Sequence, residues 1–485
     1  MISPSSPASS RRSFLGRGAA VGLGIVLVGS AETIFGTAPA QALPGLPRTP
    51  TGLLDVPLTP DPRGVLALPP GFRYSVLAQP GVTRLDSGEP TPSDPDGTGS
   101  FPRPGGGALL VNNHEIGGGE LVPVPALPGL AYDPAAGGGT TTLEVDRRGN
   151  RVREYVSLAG THNNCAGGIT PWGTWLSCEE TEALPGSAGY FGPLTQRHGY
   201  VFEVDPSDPN ANRNPRPIKA LGRFAHEAAV VDPGRGQLYL TEDATNPNGL
   251  LYRWTPPRGY RGGKGALRRL GDADGVLEAL RALDGNGQLV PDLSVADRIG
   301  TRYAVEWVAV PDRDAATTST RKQAYAKPIT RSRKLEGAWW SDGEGFSFVA
   351  SFARASDGSA REHDGQVWLL NPNRNTIELT LTFAYTPNDQ DSDPDGPDNI
   401  TVSPFGGVII AEDGEGKQHL LGGLPTGDTF FLARNDVSEA EFTGPNLSPD
   451  RSMLFANIQG DGAPGNPGYV FAILGPWSGL GGWGR

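Results

Sequence analysis

The stretch DGTGSFP, from Asp96 to Pro102, returns in altered form as CAGGITP from Cys165, EAAVVDP from Glu227, EGAWWSD from Glu336, DNITVSP from Asp398 and TGPNLSP from Thr443. All but one of these copies close on a proline six residues after the lead residue, and the Glu336 copy has Asp342 there. Each is followed by a turn rich in Gly, Asp or Pro and then by a second apolar run: ALLVNNHE, TWLSCEE, QLYLTED, FSFVASF, VIIAED and MLFANIQ. A short strand, a turn and another short strand, repeated with long spacers, predict an all-β chain folded as a six-bladed β-propeller. The innermost strand of a propeller blade starts at the central channel. The lead residues Asp96, Cys165, Glu227, Glu336 and Asp398 are therefore expected to meet on the axis, and a ring of acids and one thiol reads as a metal site.

Composition agrees with this reading. The chain has 485 residues, of which 69 are Gly and 46 are Pro, so turns are dense and long helices are disfavoured. Regular apolar runs and nine Trp exclude a disordered chain. A formal net charge of −12 argues against nucleic acid as a binding partner. Carboxylates far outnumber the six histidines, which favours hard, oxygen-liking cations over zinc.

Residues 1–42 read as an export signal. Ser10-Arg11-Arg12-Ser13-Phe14-Leu15-Gly16 has the twin-arginine pattern, Ala19 to Val28 is a short apolar stretch, and Ala40-Gln41-Ala42 offers a cleavage site. The expected partner is the twin-arginine export machinery, which carries folded proteins, and the destination is the periplasm or the cell exterior. No later segment is apolar enough to span a membrane, so no stable membrane insertion is expected. A monomer is expected.

Residues 43–485 then form a single propeller domain. Phe72 to Ala78 is the first strand candidate, and outer strands read at GYVFEVDP, GLLYRWTP, GQVWLLNP and DTFFLARN. The spacer over 259–335 is longer than a blade needs. It carries a helix-like pattern from Ala273 to Leu283 and a basic run from Thr320 to Lys334. It is expected to be an inserted loop segment forming a small helical cap over one face.

The second strands end in further acids: Glu115, Glu179, Glu180, Glu242, Asp243, Glu412 and Asp413. So many converging carboxylates would repel unless multivalent cations balanced them. Taken singly, Glu180, Asp243 and Asp413 read as solvated loop acids. Cys165 holds a lead position and is favoured as a thiolate ligand, whereas Cys178 falls inside the second strand; a disulfide between them is the weaker alternative. The loop Asp389 to Asp398 resembles a calcium loop, but Val402 stands where an EF-hand needs a bidentate acid, so a solvated acidic turn is expected. His114 and His226 precede Glu115 and Glu227 and could support them or simply be hydrogen-bonded structural residues. No G-x-S-x-G, P-loop or H-E-x-x-H pattern is present.

At NNCAGGITPWGTWLSCEE, GRFAHEAAVVD, LEGAWW, PDNI and FTGPNLSPDRSMLFANIQ the chain resembles the exported alkaline phosphatases of the PhoX type. The resemblance runs from about residue 60 to the C-terminus. It implies a six-bladed propeller with iron(III) and calcium in the channel, with Cys165, Glu227 and Glu336 as iron ligands. Calcium then falls to the remaining acids Asp96, Glu115, Glu179, Glu242, Asp398 and Glu412. It also implies hydrolysis of phosphomonoesters, the substrate being a small phosphorylated molecule outside the cytoplasm. The family's Arg-Pro-Glu around the third iron ligand is Lys334-Leu335-Glu336 here, preceded by Arg333. Lysine lacks the bidentate fork, so Lys334 or Arg333 is expected to orient the phosphate. A non-catalytic metal-binding propeller and a calcium-dependent lactonase or esterase propeller are the alternative readings.

Overall fold

The computed structural model describes residues 56–387, 393–403, 406–461 and 466–477, all within the unit Leu43–Arg485. The export signal at 1–42, and Asp389 and Asp391 of the acidic loop, lie outside the described residues. Each sequence repeat is an antiparallel meander. Pro95–Pro102, Ala108–His114, Gly138–Val145 and Arg151–Thr161 form a four-stranded sheet in that order. Asn164–Ile169, Trp175–Glu179 and Val201–Val204 form a three-stranded one. Pro397–Val402 opens a six-stranded sheet and Phe442–Leu447 a four-stranded sheet. His226–Val231 and Leu335–Ser341 open two meanders that share a nine-stranded sheet. The opening strands pack in a closed cycle, from 95–102 through 164–169, 226–231, 335–341, 397–402 and 442–447 back to 95–102. The architecture is all-β and propeller-like, and the helices among the described residues are short 3₁₀ turns.

The 259–335 segment departs from expectation. The helix expected from Ala273 to Leu283 is strand Val276–Leu283. Its spacing of Leu277, Leu280 and Leu283 suits a helix, but Gly275 turns the chain at φ 69° and the edge of Leu251–Thr255 offers open ladder groups. Pairing Tyr252 with Ala279 and Trp254 with Leu277 satisfies both backbones, and tertiary pairing overrides local propensity. Arg302–Ala309 then pairs with Val276–Leu283 on one side and, at Arg302, Tyr303 and Ala304, with Thr376–Phe383 on the other. The segment thus welds two meanders into one sheet rather than forming a helical cap.

An early strand shares a sheet with the last one. Arg73–Ala78 pairs with Tyr469–Leu474, with Val76 opposite Phe471, as the outermost strand of the last meander. Phe442, Leu454, Phe471 and Ile473 pack there against Ile409, Leu420 and Phe430 of the neighbouring sheet. Among the described residues no helix is long and apolar enough to cross a membrane.

What positions the site is a β-bulge repeated in every opening strand. Pairing jumps between Pro95 and Thr98, Asn164 and Gly167, His226 and Ala229, Leu335 and Ala338, and Pro397 and Ile400. The residues caught inside are Asp96-Gly97, Cys165-Ala166, Glu227-Ala228, Glu336-Gly337 and Asp398-Asn399. A bulge re-aims a side chain that regular pleating would send into a sheet face. In the last copy the jump lies between Thr443 and Asn446, so Gly444 and not Thr443 takes the lead position. Thr443 instead donates its hydroxyl to the Pro95 carbonyl.

Candidate metal centre

At Asp96 and Glu336 the residue after the lead is glycine for a steric reason. A Cβ at Gly97 would lie 2.6 Å from the Ala166 Cα, and one at Gly337 would lie 2.8 Å from the Asn399 Cα. The opening strands thus approach backbone to backbone, around a small open pocket lined by Gly97, Ala166, Gly337, Asn399 and Gly444. Side chains of second strands clamp the next opening strand: Asn113 donates to the Cys165 and Ala166 carbonyls, Thr241 to the Glu336 carbonyl, and Asn457 to the Asp96 carbonyl.

This geometry brings the lead residues together. Ligand atoms of Cys165, Glu180 and Glu227 lie within 4.8 Å of one another, as do those of Glu227, Glu336 and Asp398, and those of Asp398, Asp413 and Glu441. Asp96 joins through its neighbours: the Gln459 amide donates to its Oδ2 at 3.0 Å and to Glu115 Oε2 at 2.7 Å.

The paired acids divide the other way from expectation. Glu179, Glu242 and Glu412 sit in the ladder opposite Asn164, His226 and Pro397 and turn away from the centre. Glu179 accepts the His162, Gly199 and Tyr200 amides and meets His198 Nδ1 at 2.6 Å. Glu242 accepts the Leu250 amide, the Tyr252 hydroxyl and Arg321 Nη1. Glu412 accepts the Asp395 and His419 amides and meets His419 Nδ1. Four protein donors fill Glu179 and three each occupy Glu242 and Glu412, and none of the three belongs to the groups whose ligand atoms converge, so the structure places them as anchors of the ladder rather than in those groups. Their sequence neighbours Glu180, Asp243 and Asp413 face inward instead, because successive side chains on a strand point to opposite sides. Glu441, from the lead-in to Phe442–Leu447, was not a sequence candidate at all.

The electrostatics are those of a cation cradle. Burial pushes the Glu227 carboxyl well above its usual range, and Glu336, Asp398, Glu180 and Asp96 push it further. Burial raises Glu336 to about 7 although Lys334 opposes the rise. Glu180 and Asp398 are likewise driven up, first by burial and then by neighbouring carboxylates. Burial, Glu227, Glu180 and Asp96 all hold the Cys165 thiol above its ordinary value. A cation among these groups would favour their ionised forms and lower all of these values together. The donor sets fit cations: the group Asp398, Asp413 and Glu441 offers only oxygens, as hard cations prefer, and Cys165 adds one softer donor beside the carboxylates Glu180 and Glu227.

Cys165 and Cys178 are free thiols, and Cys165 Sγ lies 3.2 Å from the His226 carbonyl. The histidines are structural. His114 is bonded to the Ser93 carbonyl and the Thr141 hydroxyl, and His226 to the Gly222 carbonyl while stacking on Phe224.

Beside the ring stand Arg333 and Lys334. Lys334 Nζ is 2.8 Å from Glu336 Oε1 and 3.5 Å from Asp243 Oδ2. Arg333 Nε donates to Asp357 Oδ2 at 3.2 Å, its Nη1 lies 3.6 Å from Asp243, and its guanidinium covers the Phe352 ring. Asp357 is itself fixed by the Arg354 amide and by the Ser359 amide and hydroxyl.

A propeller-like scaffold that re-aims acids and a thiol onto its axis defines a class of protein, one with a carboxylate-rich centre built from every meander. The chain belongs to the alkaline phosphatase PhoX family, whose model it matches over residues 54–462, and it is an alkaline phosphatase-type phosphoric ester hydrolase. The solved structure of Pseudomonas fluorescens PhoX in complex with vanadate, a transition state analogue, shares the fold at 20% identity, covering 88% of this chain and 99% of that one with a TM-score of 0.65. The Xanthomonas campestris gluconolactonase XC5397 is a looser likeness, at 12% identity over 87% of this chain and 97% of that one, with a TM-score of 0.37. No curated protein matches the chain.

Proposed function

We propose that the axial centre holds iron(III) and calcium and hydrolyses phosphomonoesters outside the cytoplasm. Iron(III) is assigned to Cys165, Glu227 and Glu336 with Glu180 alongside, and calcium to Asp398, Asp413 and Glu441, with Asp96 and Glu115 as further oxygen donors. The observation that carries the reading is the convergence of a buried thiol and carboxylates within 4.8 Å in adjoining groups. When bound, such ions polarise phosphoryl oxygens, neutralise charge developing in the transition state and activate water. The chain's own residues supply the rest. Arg333, steadied at Nε by Asp357, presents its remaining guanidinium edge to a phosphoryl oxygen, and Lys334 adds positive charge behind it.

Counting the nine-stranded sheet as two blades makes the scaffold six-bladed, which the closed cycle of opening strands supports. The 259–335 segment covers the rim through Arg321, which bridges Glu182 at 2.6 Å and Glu242 at 3.1 Å. Residues 1–42 direct folded export by the twin-arginine route, and the mature protein acts as a monomer on a small phosphorylated substrate.

The test is elemental analysis of the purified exported protein, with its visible spectrum and turnover of an aryl phosphate. Iron with calcium, an absorption band lost in Cys165→Ala but kept in Cys178→Ala, and phosphate release support the centre. Calcium without iron sinks it.

A further inference from the structure

The three groups compact enough for an ion pass around the ring but leave out Asp243, an inward-facing acid of the second strands. That gap is filled by protein. Lys334 Nζ stands between Asp243 and Glu336, at 3.5 and 2.8 Å, and Arg333 Nη1 approaches Asp243 from its other side at 3.6 Å. The contrast lies at the neighbouring acid, where among the described residues no hydrogen-bond donor or cationic side chain reaches the Glu227 carboxylate.

We infer that the Lys334 ammonium is a resident cation of the centre, occupying with Asp243 and Glu336 a position whose carboxylates would otherwise take a calcium ion. The inference rests on the metal centre proposed above and goes beyond it by fixing where that centre needs no metal. The backbone supports it. Lys334 sits at φ 42°, a left-handed conformation that is unfavourable for a lysine and persists only where the surroundings enforce it. Here the Ser351 amide donates to the Lys334 carbonyl at 2.9 Å, locking the residue at the start of Leu335–Ser341. An ammonium is a compact point charge with three donors, and it can replace a hard cation between two carboxylates without coordinating them.

The experiment measures calcium and iron by plasma mass spectrometry in exported holoprotein of the wild type, Lys334→Met, Lys334→Arg and Asp243→Asn. Lys334→Met is expected to gain about one calcium per chain with iron unchanged, while Lys334→Arg keeps the wild-type count. An unchanged calcium count in Lys334→Met overturns the inference. Should Lys334→Met fail to fold, Asp243→Asn decides: retained calcium supports a carboxylate that serves lysine, and lost calcium makes Asp243 a metal ligand and overturns it. The wild-type metal content alone tests the centre, whereas the differences between variants test the lysine, so the two failures are distinguishable.

Discussion

In Glu179-Glu180, Glu242-Asp243 and Glu412-Asp413, the strand pleat gives consecutive carboxylates opposite surroundings. The first of each pair is held by a basic residue from its own periphery: His198, Arg321 or His419. Glu179→Gln puts an amide donor among three backbone amides, and we expect a loss of about 2–4 kcal/mol in denaturant stability. Glu180→Gln keeps the ladder and its anchors, so its stability should stay close to wild type while aryl phosphate turnover falls by about 100-fold. Equal losses of stability in the two variants would contradict the division of roles. Asp357→Asn probes the Arg333 grip. Its carboxylate fixes Nε but touches no proposed metal ligand, so KM for an aryl phosphate should rise about tenfold with iron and calcium contents unchanged. Rescue in Asp357→Glu would separate orientation from simple loss of packing.

The bulged opening strand is the element that turns a common sheet into this site, and its glycines are what let neighbouring bulges touch. Gly337→Ala should cost about 3 kcal/mol in thermal or denaturant unfolding, because the new methyl meets the Asp398-Asn399-Ile400 backbone rather than the end of a flexible side chain. Gly285, with open space around it, is the control, and its alanine variant should unfold within about 0.5 kcal/mol of wild type. The proline-closed strands were legible in sequence because short apolar runs between turns can do little else. The bulges were not, since they exist only in the pairing register with a second strand. That is why Thr443 reads as a lead residue while Gly444 takes the place, and why Glu179 reads as a ligand while Glu180 faces the axis. Aligning His114-Glu115 with Glu179-Glu180 and Glu242-Asp243 by strand end would have matched Glu115 to the second acid of each pair. The Val276–Leu283 strand was illegible for a different reason: its edge partner at Leu251–Thr255, not its own spacing, decides its conformation.

At the scale of the molecule, the axial carboxylates bind opening strands from the whole cycle, so their charge state bears on global stability. With ions removed by a chelator, the folded protein must bury these acids in protonated form: Glu336 is held at about 7, and Glu227, Glu180 and Asp398 stand well above their usual range. Unfolding returns them to ordinary carboxyl values near 4.5 for Glu and 3.8 for Asp. Between those values and the raised ones the folded state binds more protons than the unfolded state, so the stability of the ion-free protein falls as pH rises through that window. With ions in place the acids are ionised when folded, protons compete with the metal, and stability instead falls as the pH drops. The chelated protein should therefore melt at a higher temperature at about pH 5 than at about pH 8, and the loaded protein should show the reverse order. Calorimetry of both forms at both pH values checks this. A chelated protein whose melting temperature does not fall between the two would mean that the axial acids are not repelling one another, and that the ring is held by something other than cations.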